Sequence, residues 1–263
     1  MKVFTFYKYQ GAGNDFIIFD NRDLAFERRN NDLVRRLCDR RFGIGGDGLM
    51  LLQQVDGYDF EMVYFNADGR EGSMCGNGGR CIVAFAQDLG IVGAETDFLA
   101  ADGPHHAKVH QTVDWISLKM ADVSTIAQDG GAFILDTGSP HYVQCVSGLI
   151  DYDVVKEGRL VRYSDKYGTH GINVNFVEAD ANGGYYVRTY ERGVEDETLA
   201  CGTGATAVAL AMAWQREIEG TAEIPIHVRG GNLLVRFDKT ADRFTNVYLE
   251  GPAEFVFKGE ISW

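Results

Sequence analysis

Proline is scarce in this chain of 263 residues, four in all, so no Pro-rich linker or rigid spacer divides it. Basic charge is also short. Lys and Arg number 25 against 38 Asp and Glu, a net charge of −13. That balance argues against a nucleic-acid surface and needs no explanation beyond solubility. No apolar run is long enough to cross a bilayer. The opening residues, Met1-Lys2-Val3-Phe4-Thr5-Phe6-Tyr7-Lys8, lack the uninterrupted apolar region and small-residue cleavage site of a signal peptide. The five cysteines form no close-set framework and no Cys-x-x-Cys, which suits a reducing cytoplasm and weakens zinc or dithiol readings. Neither the phosphate-loop pattern nor the Gly-x-Ser-x-Gly hydrolase elbow occurs.

Two partial matches fail on context. Gly43-x-Gly45-x-x-Gly48 fits the dinucleotide fingerprint literally, but a helical pattern precedes it and a strand pattern follows, the reverse of what that loop requires. His106 and His110 stand four apart, yet Gly103-Pro104 precedes them and strand-like alternation follows. They read as surface histidines rather than a metal pair, and no metal site is expected.

Glycine is abundant, 32 residues, and it concentrates in two motifs. One is Ser73-Met74-Cys75-Gly76-Asn77-Gly78-Gly79. The other is Thr198-Leu199-Ala200-Cys201-Gly202-Thr203-Gly204-Ala205. Each cysteine precedes an apolar run, Cys81 to Ala86 in one case and Ala205 to Trp214 in the other. Such runs predict buried helices, with the cysteine at each N-terminus. Unpaired N–H groups and partial positive charge there favour a thiolate and bind carboxylates. Neither motif contains a lysine, so no Schiff-base cofactor is expected. Cys38, Cys81 and Cys145 read as structural.

The rest of the chain falls into two similar halves. Strand patterns at Val3 to Tyr9 and Phe16 to Asp20 flank a turn at Gly11 to Asp15. A helix follows, capped at Asn31-Asp32, then strands at Leu49 to Val55 and Tyr58 to Phe65. Further strands are expected at Phe98-Leu99 and from Ala107 to Met120. The second half repeats the order, with strands at Phe133 to Asp136 and Tyr142 to Val146, a loop then strand over Gly171 to Val177, and a strand at Tyr185 to Tyr190. The polar segment from Asp151 to Tyr163 has no clear pattern. Ile226 to Phe237 reads as a hairpin turning at Gly230-Gly231-Asn232, and strands at Val247 to Leu249 and Ala253 to Phe257 finish the sheet. The spacings agree: Gly11 to Cys75 is 64 residues and Gly138 to Cys201 is 63, while Asn66 to Cys75 and Arg192 to Cys201 are both 9. Asp47 to Cys75 and Asn173 to Cys201 are both 28. A duplicated α/β unit is the expectation, joined within residues 121–131.

Two cysteines facing one carbon could act as acid and base. One thiolate removes a proton while the opposite thiol returns one, and the carbon inverts. Helix N-termini aimed at an adjacent carboxylate would stabilise the carbanion. Gly76, Asn77, Gly202 and Thr203 are candidates for those contacts. Asn14, Asn66, Asn173, Glu191 and Arg192 could hold a second amino-acid head group, with Arg192 clamping a carboxylate. A thiol redox sensor or a non-catalytic ligand-binding module would use the same residues differently.

The chain resembles the diaminopimelate epimerases. The motifs are Gly11-Ala12-Gly13-Asn14-Asp15-Phe16, Phe65-Asn66-Ala67-Asp68-Gly69, Met74-Cys75-Gly76-Asn77-Gly78-Gly79-Arg80, Tyr190-Glu191-Arg192-Gly193-Val194 and Glu197 to Ala205. The resemblance implies an α/β fold of two pseudo-symmetric domains, each a curved, mostly antiparallel sheet or barrel around a central helix. The domains would be 1–120, completed by a returning strand at 252–263, and 121–251. It implies an isomerase without pyridoxal phosphate or other cofactor, epimerising diaminopimelate for lysine and peptidoglycan precursors, and a homodimer. Cys75 and Cys201 would be the acid–base pair, supported by His141 and Glu191. Substrate would touch Asn14, Asn66, Gly76, Asn77, Asn173, Glu191, Arg192, Gly202 and Thr203. Two positions depart from the family. Ser139 stands where an asparagine is usual before Pro-His, and Gly48 where glutamine is common. A proline or hydroxyproline racemase of the same fold is the nearest alternative, though it would not need both Glu191 and Arg192.

Overall fold

The computed structural model describes residues 2–72, 74–110 and 114–263. Met1, Ser73 of the first motif, and residues 111–113 of the strand expected from Ala107 lie outside the described residues. The chain divides into two units, Met1–Leu118 with Gly251–Trp263, and Lys119–Glu250.

In the first unit the β-branched and aromatic runs form β1 (Val3–Gly11) and β2 (Asn14–Asp20), joined by Ala12-Gly13. Both turn residues have positive φ, 54° and 82°, the geometry that a two-residue hairpin needs. After α1 (Asn31–Cys38) come β3 (Gly48–Gln53), β4 (Phe60–Asn66), α2 (Gly76–Asp88), β5 (Glu95–Ala100), β6 (Gly103–Val109) and β7 (Trp115–Lys119). Asn30, not Asn31 or Asp32, caps α1, its side chain accepting the Leu33 N–H at 3.1 Å. Every residue of β3 is buried, as expected of a strand covered on both faces. Leu49 and Leu51 join Val34 and Leu37 of α1 in one apolar cluster, while Met50 faces Gly78 of α2.

In the second unit β8 (Ala127–Asp129), β9 (Ala132–Asp136) and β10 (Pro140–Cys145) precede α3 (Val154–Arg162). Then follow β11 (Asn173–Ala179), β12 (Tyr185–Glu191), β13 (Asp196–Thr198), α4 (Gly202–Gln215), β14 (Gly220–Val228), β15 (Gly231–Thr240) and β16 (Arg243–Pro252). The final strand, β17 (Glu254–Ser262), pairs with β1. The polar segment before residue 163 is helical after all. Asp153 caps α3 by accepting the Lys156 N–H at 3.1 Å, and the helix packs on Val174, Phe176 and Tyr190 through Val154. The late hairpin turns at Arg229-Gly230, one residue earlier than its glycines suggest, because Val228 pairs with Gly231.

The two units share one plan. Pairing runs β17–β1–β2–β3–β4–β5–β6–β7 in the first and β8–β9–β10–β11–β12–β14–β15–β16 in the second. In both, the order is antiparallel, antiparallel, parallel, antiparallel, parallel, antiparallel, antiparallel. In each unit a curved, mostly antiparallel sheet surrounds one helix. α2 touches β1, β2, β3, β4, β6 and β17, and α4 touches β9, β10, β11, β12, β14 and β15. That enclosure explains why α4 is buried on every face from Gly204 to Ala213. Truncating a side chain there, such as Leu210→Ala, costs about 2–5 kcal/mol.

Register corrects the sequence alignment of the halves. Leu49 faces Phe65 as Val174 faces Tyr190, and Phe16 faces Gly48 as His141 faces Asn173. By register Asn66 therefore corresponds to Glu191, not Arg192, and Gly48 rather than Asp47 corresponds to Asn173. The second unit carries one extra residue in the turn after β12: Phe65 bridges Glu71, whereas Tyr190 pairs with Glu197.

Candidate functional site

Both cysteines are helix N-caps. Cys75 precedes α2 and Cys201 precedes α4, each in extended conformation with φ of −102° and −119°. The first bonds closed inside the helices are Gly79 N–H to Cys75 O at 2.7 Å and Ala205 N–H to Cys201 O at 2.9 Å. The amides of Gly76, Asn77, Gly202 and Thr203 thus lie in the first turn, ahead of those bonds, where a helix end attracts anions.

Around half-buried Cys75 the partners are polar and charged. The thiol donates to Asn14 Oδ1 at 3.7 Å, and Asn77 Nδ2 donates to the same oxygen at 3.2 Å. Asn14 Nδ2 in turn donates to Asp47 Oδ2 at 2.7 Å. A carboxylate only accepts, so the Asn14 amide is fixed with its oxygen toward the sulfur. Behind it Arg40 bridges Asp15 and Asp47 at 2.5 and 2.8 Å, and Lys8 holds Asp15 at 2.6 Å. Burial alone would raise the Asp15 carboxyl, but hydrogen bonds from Arg40 and Lys8 outweigh it and hold it at about 2. Asn66 stands apart from this chain, its side chain exposed at the end of β4.

Around buried Cys201, 8 % exposed, the partners are mostly neutral. Asn175 Nδ2 donates to Tyr142 O at 3.0 Å, which fixes its amide, and the same nitrogen faces His141 Nδ1 at 3.1 Å. Nδ1 must therefore accept. Burial, with the Arg192 charge added, pushes the His141 imidazole down to about 3, so the ring is neutral and its proton sits on Nε2. Nε2 donates to Thr203 Oγ1 at 2.9 Å, and the same hydroxyl lies 3.5 Å from Cys201 Sγ, where either group can be the donor. Strand alternation puts Asn173 and Asn175 on one face of β11 and Val174 and Phe176 on the other. Gly204 leaves room for this arrangement. A Cβ there would lie 2.5 Å from Asn175 Oδ1 and 3.3 Å from Cys201 Sγ.

A third group joins Ser139, one of the two family departures, to the head-group candidates. Asn173 Nδ2 donates to Ser139 Oγ at 2.9 Å, Asn173 Oδ1 accepts the Arg192 N–H at 2.9 Å, and Arg192 Nη2 donates to Ser139 Oγ at 3.3 Å. Glu191 accepts from Thr198 Oγ1 at 2.9 Å. At Gly48 a side chain would meet the Tyr64 ring at 2.6 Å, so Tyr64 fills the space a larger residue would use.

The expected residues thus gather into Cys75, Asn14 and Asn77 in one unit, and Cys201, Thr203 and His141 in the other, with Asn173 and Arg192 beside Ser139. Asp47, Arg40, Lys8, Asn175 and Thr189, whose hydroxyl donates to Asn175 Oδ1 at 2.9 Å, were not anticipated. Asn175 carried a faint signal, a polar residue inside an apolar strand run. His106 and His110 bond to different partners, Asp97 at 2.9 Å and Ser117 at 2.7 Å.

A family model described as Diaminopimelate epimerase matches residues 6–126 and 133–256. The diaminopimelate epimerase of Flavobacterium psychrophilum is 52% identical over 255 residues, covering 97% of this chain and 99% of that protein. That of Chlorobaculum tepidum is 43% identical over 259 residues, covering 96% and 99%. Among solved structures, a phenazine biosynthesis protein of the PhzF family from Bacillus anthracis superposes with a TM-score of 0.78 over 100% of both chains at 13% identity, a likeness of fold alone.

Proposed function

The chain belongs to the diaminopimelate epimerase family, and from that premise we propose that Cys75 and Cys201 are the acid and base that interconvert LL- and meso-diaminopimelate. It is an isomerase. One sulfur, as thiolate, removes the α-proton from one face, and the other, as thiol, delivers a proton to the opposite face. The carbon inverts, no atom is lost, and the sulfurs exchange protonation states. The scheme calls on no cofactor.

The observation that carries this reading is the matched seating of the two sulfurs, each the N-cap of the central helix of its unit. In that setting the first-turn amides of Gly76, Asn77, Gly202 and Thr203 would receive the reacting carboxylate. Losing one such donor typically costs about 2.7–4 kcal/mol of transition-state stabilisation. His141, neutral and aimed through Thr203, steadies the Cys201 sulfur. Asn14 ties Cys75 to Asp47. Asn66, Asn173, Glu191 and Arg192 would hold the distal ammonium and carboxylate, with Ser139 completing the Arg192 position.

Each unit is then one half of the epimerase, acting in the cytoplasm on precursors of lysine and peptidoglycan. A homodimer is part of this reading. Phe255, Val256 and Phe257 on β17 are 45–52 % exposed, and a second copy covering them would remove an apolar patch from water. A proline-type racemase and a thiol sensor are not favoured, because the diaminopimelate epimerases align over nearly the whole chain.

Incubation of the reduced protein with LL-diaminopimelate in D2O, without added cofactor, tests the reading. The expected result is one deuterium at an α-carbon together with the meso isomer. Unlabelled, unchanged substrate refutes it.

A further inference from the structure

β4 and the approach to Cys75 lie side by side. Phe65 bridges Glu71, and the Gly72 N–H donates to Tyr64 O at 2.9 Å, three residues before Cys75. Alternation along β4 puts Val63 and Phe65 on the face packed against α1, and Met62, Tyr64 and Asn66 on the other. That second face meets the first turn of α2. A Cβ on Gly78 would lie 3.2 Å from Met50 Sδ, 3.4 Å from Met62 Cε and 3.6 Å from Cys75 Cβ. Tyr64 therefore shares a face with the helix end that carries Cys75.

Two glycines make room for the Tyr64 ring. A Cβ at Gly48 would lie 2.6 Å from Tyr64 Cε2, 2.7 Å from the Phe65 carbonyl and 3.0 Å from the Tyr64 hydroxyl. One at Gly72 would lie 3.0 and 3.1 Å from Cδ1 and Cε1 of the same ring. Neither glycine has the positive φ that would call for glycine on backbone grounds. A strand glycine marks the close approach of another group, and here one phenol ring lies across both. Asn66 Nδ2 crowds the same point at Gly72, 2.8 Å away, so Tyr64 and Asn66 stand together beside the residues leading to Cys75. Tyr64 is only partly buried, and edge-on contact with Phe16, centroids 6.2 Å apart, steadies the ring while leaving it a polar tip.

We propose that the Tyr64 hydroxyl is a further substrate contact that sets specificity, donating to the distal carboxylate of diaminopimelate beside Asn66. Position 48, where the family commonly has glutamine, offers no side chain here, and Tyr64 brings a polar group into that space from the neighbouring strand. The phenol O–H and the Asn66 amide are neutral donors, and a carboxylate accepts from both. The proposal rests on the epimerase reading.

Tyr64→Phe keeps the ring and removes only the hydroxyl. KM for diaminopimelate should rise about 10–100-fold, the usual worth of a hydrogen bond to a charged group. A contact remote from the reacting carbon leaves kcat within about threefold of the parent, and the urea midpoint should not move. As a competitive inhibitor, 2-aminopimelate lacks the second ammonium but keeps that carboxylate, and it should weaken by the same factor. An unmoved KM overturns the proposal and makes Tyr64 a packing residue. A fall in kcat at constant KM overturns it too, since the hydroxyl would then act on proton transfer. So does a higher KM that comes with a lower urea midpoint, because the hydroxyl would then hold the fold. An inhibitor unaffected by the change would assign the hydroxyl to the ammonium and overturn the carboxylate contact. These outcomes leave the epimerase reading standing, whereas a parent protein without turnover removes both.

Discussion

The N-terminus of α2 and the N-terminus of α4 share a backbone but not a neighbourhood. Each is capped by a cysteine, each begins Gly-x-Gly, and each sits inside the same succession of strands. Yet Cys75 is half-buried against Asn14, which leads on to the charged pair Asp47 and Arg40, whereas Cys201 is buried against a threonine backed by a neutral histidine and an asparagine. Duplication has kept the feature that backbone geometry provides, a sulfur at a helix end. It has let side chains set the charge around each sulfur separately. A reaction that must run in both directions needs two equivalent positions; it does not need identical surroundings.

The largest effect would test that equivalence. Cys75→Ser and Cys201→Ser should each lower kcat by at least about a thousandfold, roughly 4 kcal/mol of barrier, with the fold intact by circular dichroism. A variant that keeps near-normal turnover would show that one half works alone, and the symmetry would then be a relic.

A smaller effect sharpens the contrast through two matched glycines, each three residues past its cysteine. At Gly204 a Cβ would press on Asn175 Oδ1 at 2.5 Å, whereas at Gly78 the nearest atoms are Met50 Sδ at 3.2 Å and Met62 Cε at 3.4 Å. Methionine side chains yield easily. Gly204→Ala should cost about 2–3 kcal/mol of stability through overpacking and displace Asn175, lowering kcat as well. Gly78→Ala should fall within about 1 kcal/mol of neutral, because the gain in helix propensity offsets a mild contact. Urea unfolding of both variants checks this, and equal losses would mean that the two helix ends are packed alike.

What could be read in the sequence follows from the same contrast. The capped helices were legible because Cys-Gly-x-Gly before an apolar run has one sensible geometry. The repeat was legible in spacing, but its true register was not. A single extra residue in the turn between Tyr190 and Glu197 leaves the distance to Cys201 looking equal while moving Glu191 into the position of Asn66. α3 escaped notice because its polar face outweighs its buried side, Val154 and Gly158, in a short window. A Cβ on Gly158 would lie 2.4 Å from Tyr190, so the glycine that spoils the helical pattern is what lets the helix pack. Asn175 and Arg80 were hardest. An asparagine signals a turn and an arginine a surface, and only three-dimensional partners reveal Asn175 bonded to a buried imidazole and Arg80 fully buried, donating to neutral oxygens of Gly76, Asn77 and Pro252.

The smallest effect concerns pH, and it should arise in the second unit through His141. In the folded chain burial holds the His141 imidazole down at about 3, against 6.5 for the ordinary group. Between those values the unfolded chain binds a proton that the folded chain does not, so stability falls as pH falls. This contribution is complete above about 6.5 and drains at up to about 1.4 kcal/mol per pH unit below it, or about 2 kcal/mol by pH 5. Asp15, lowered to about 2 from 3.8 in the first unit, stabilises by the opposite kind of group but with the same sign. Its share is lost only as pH drops from about 4 toward 2. Unfolding free energies at pH 7 and pH 5 therefore isolate the histidine from the aspartate. His141→Gln should flatten the change over that window by about one proton's worth of slope, while Asp15→Asn should leave it in place. If His141→Gln loses as much stability as the parent between pH 7 and pH 5, the imidazole is not held neutral, and the hydrogen-bond direction from Asn175 through His141 to Thr203 loses its anchor.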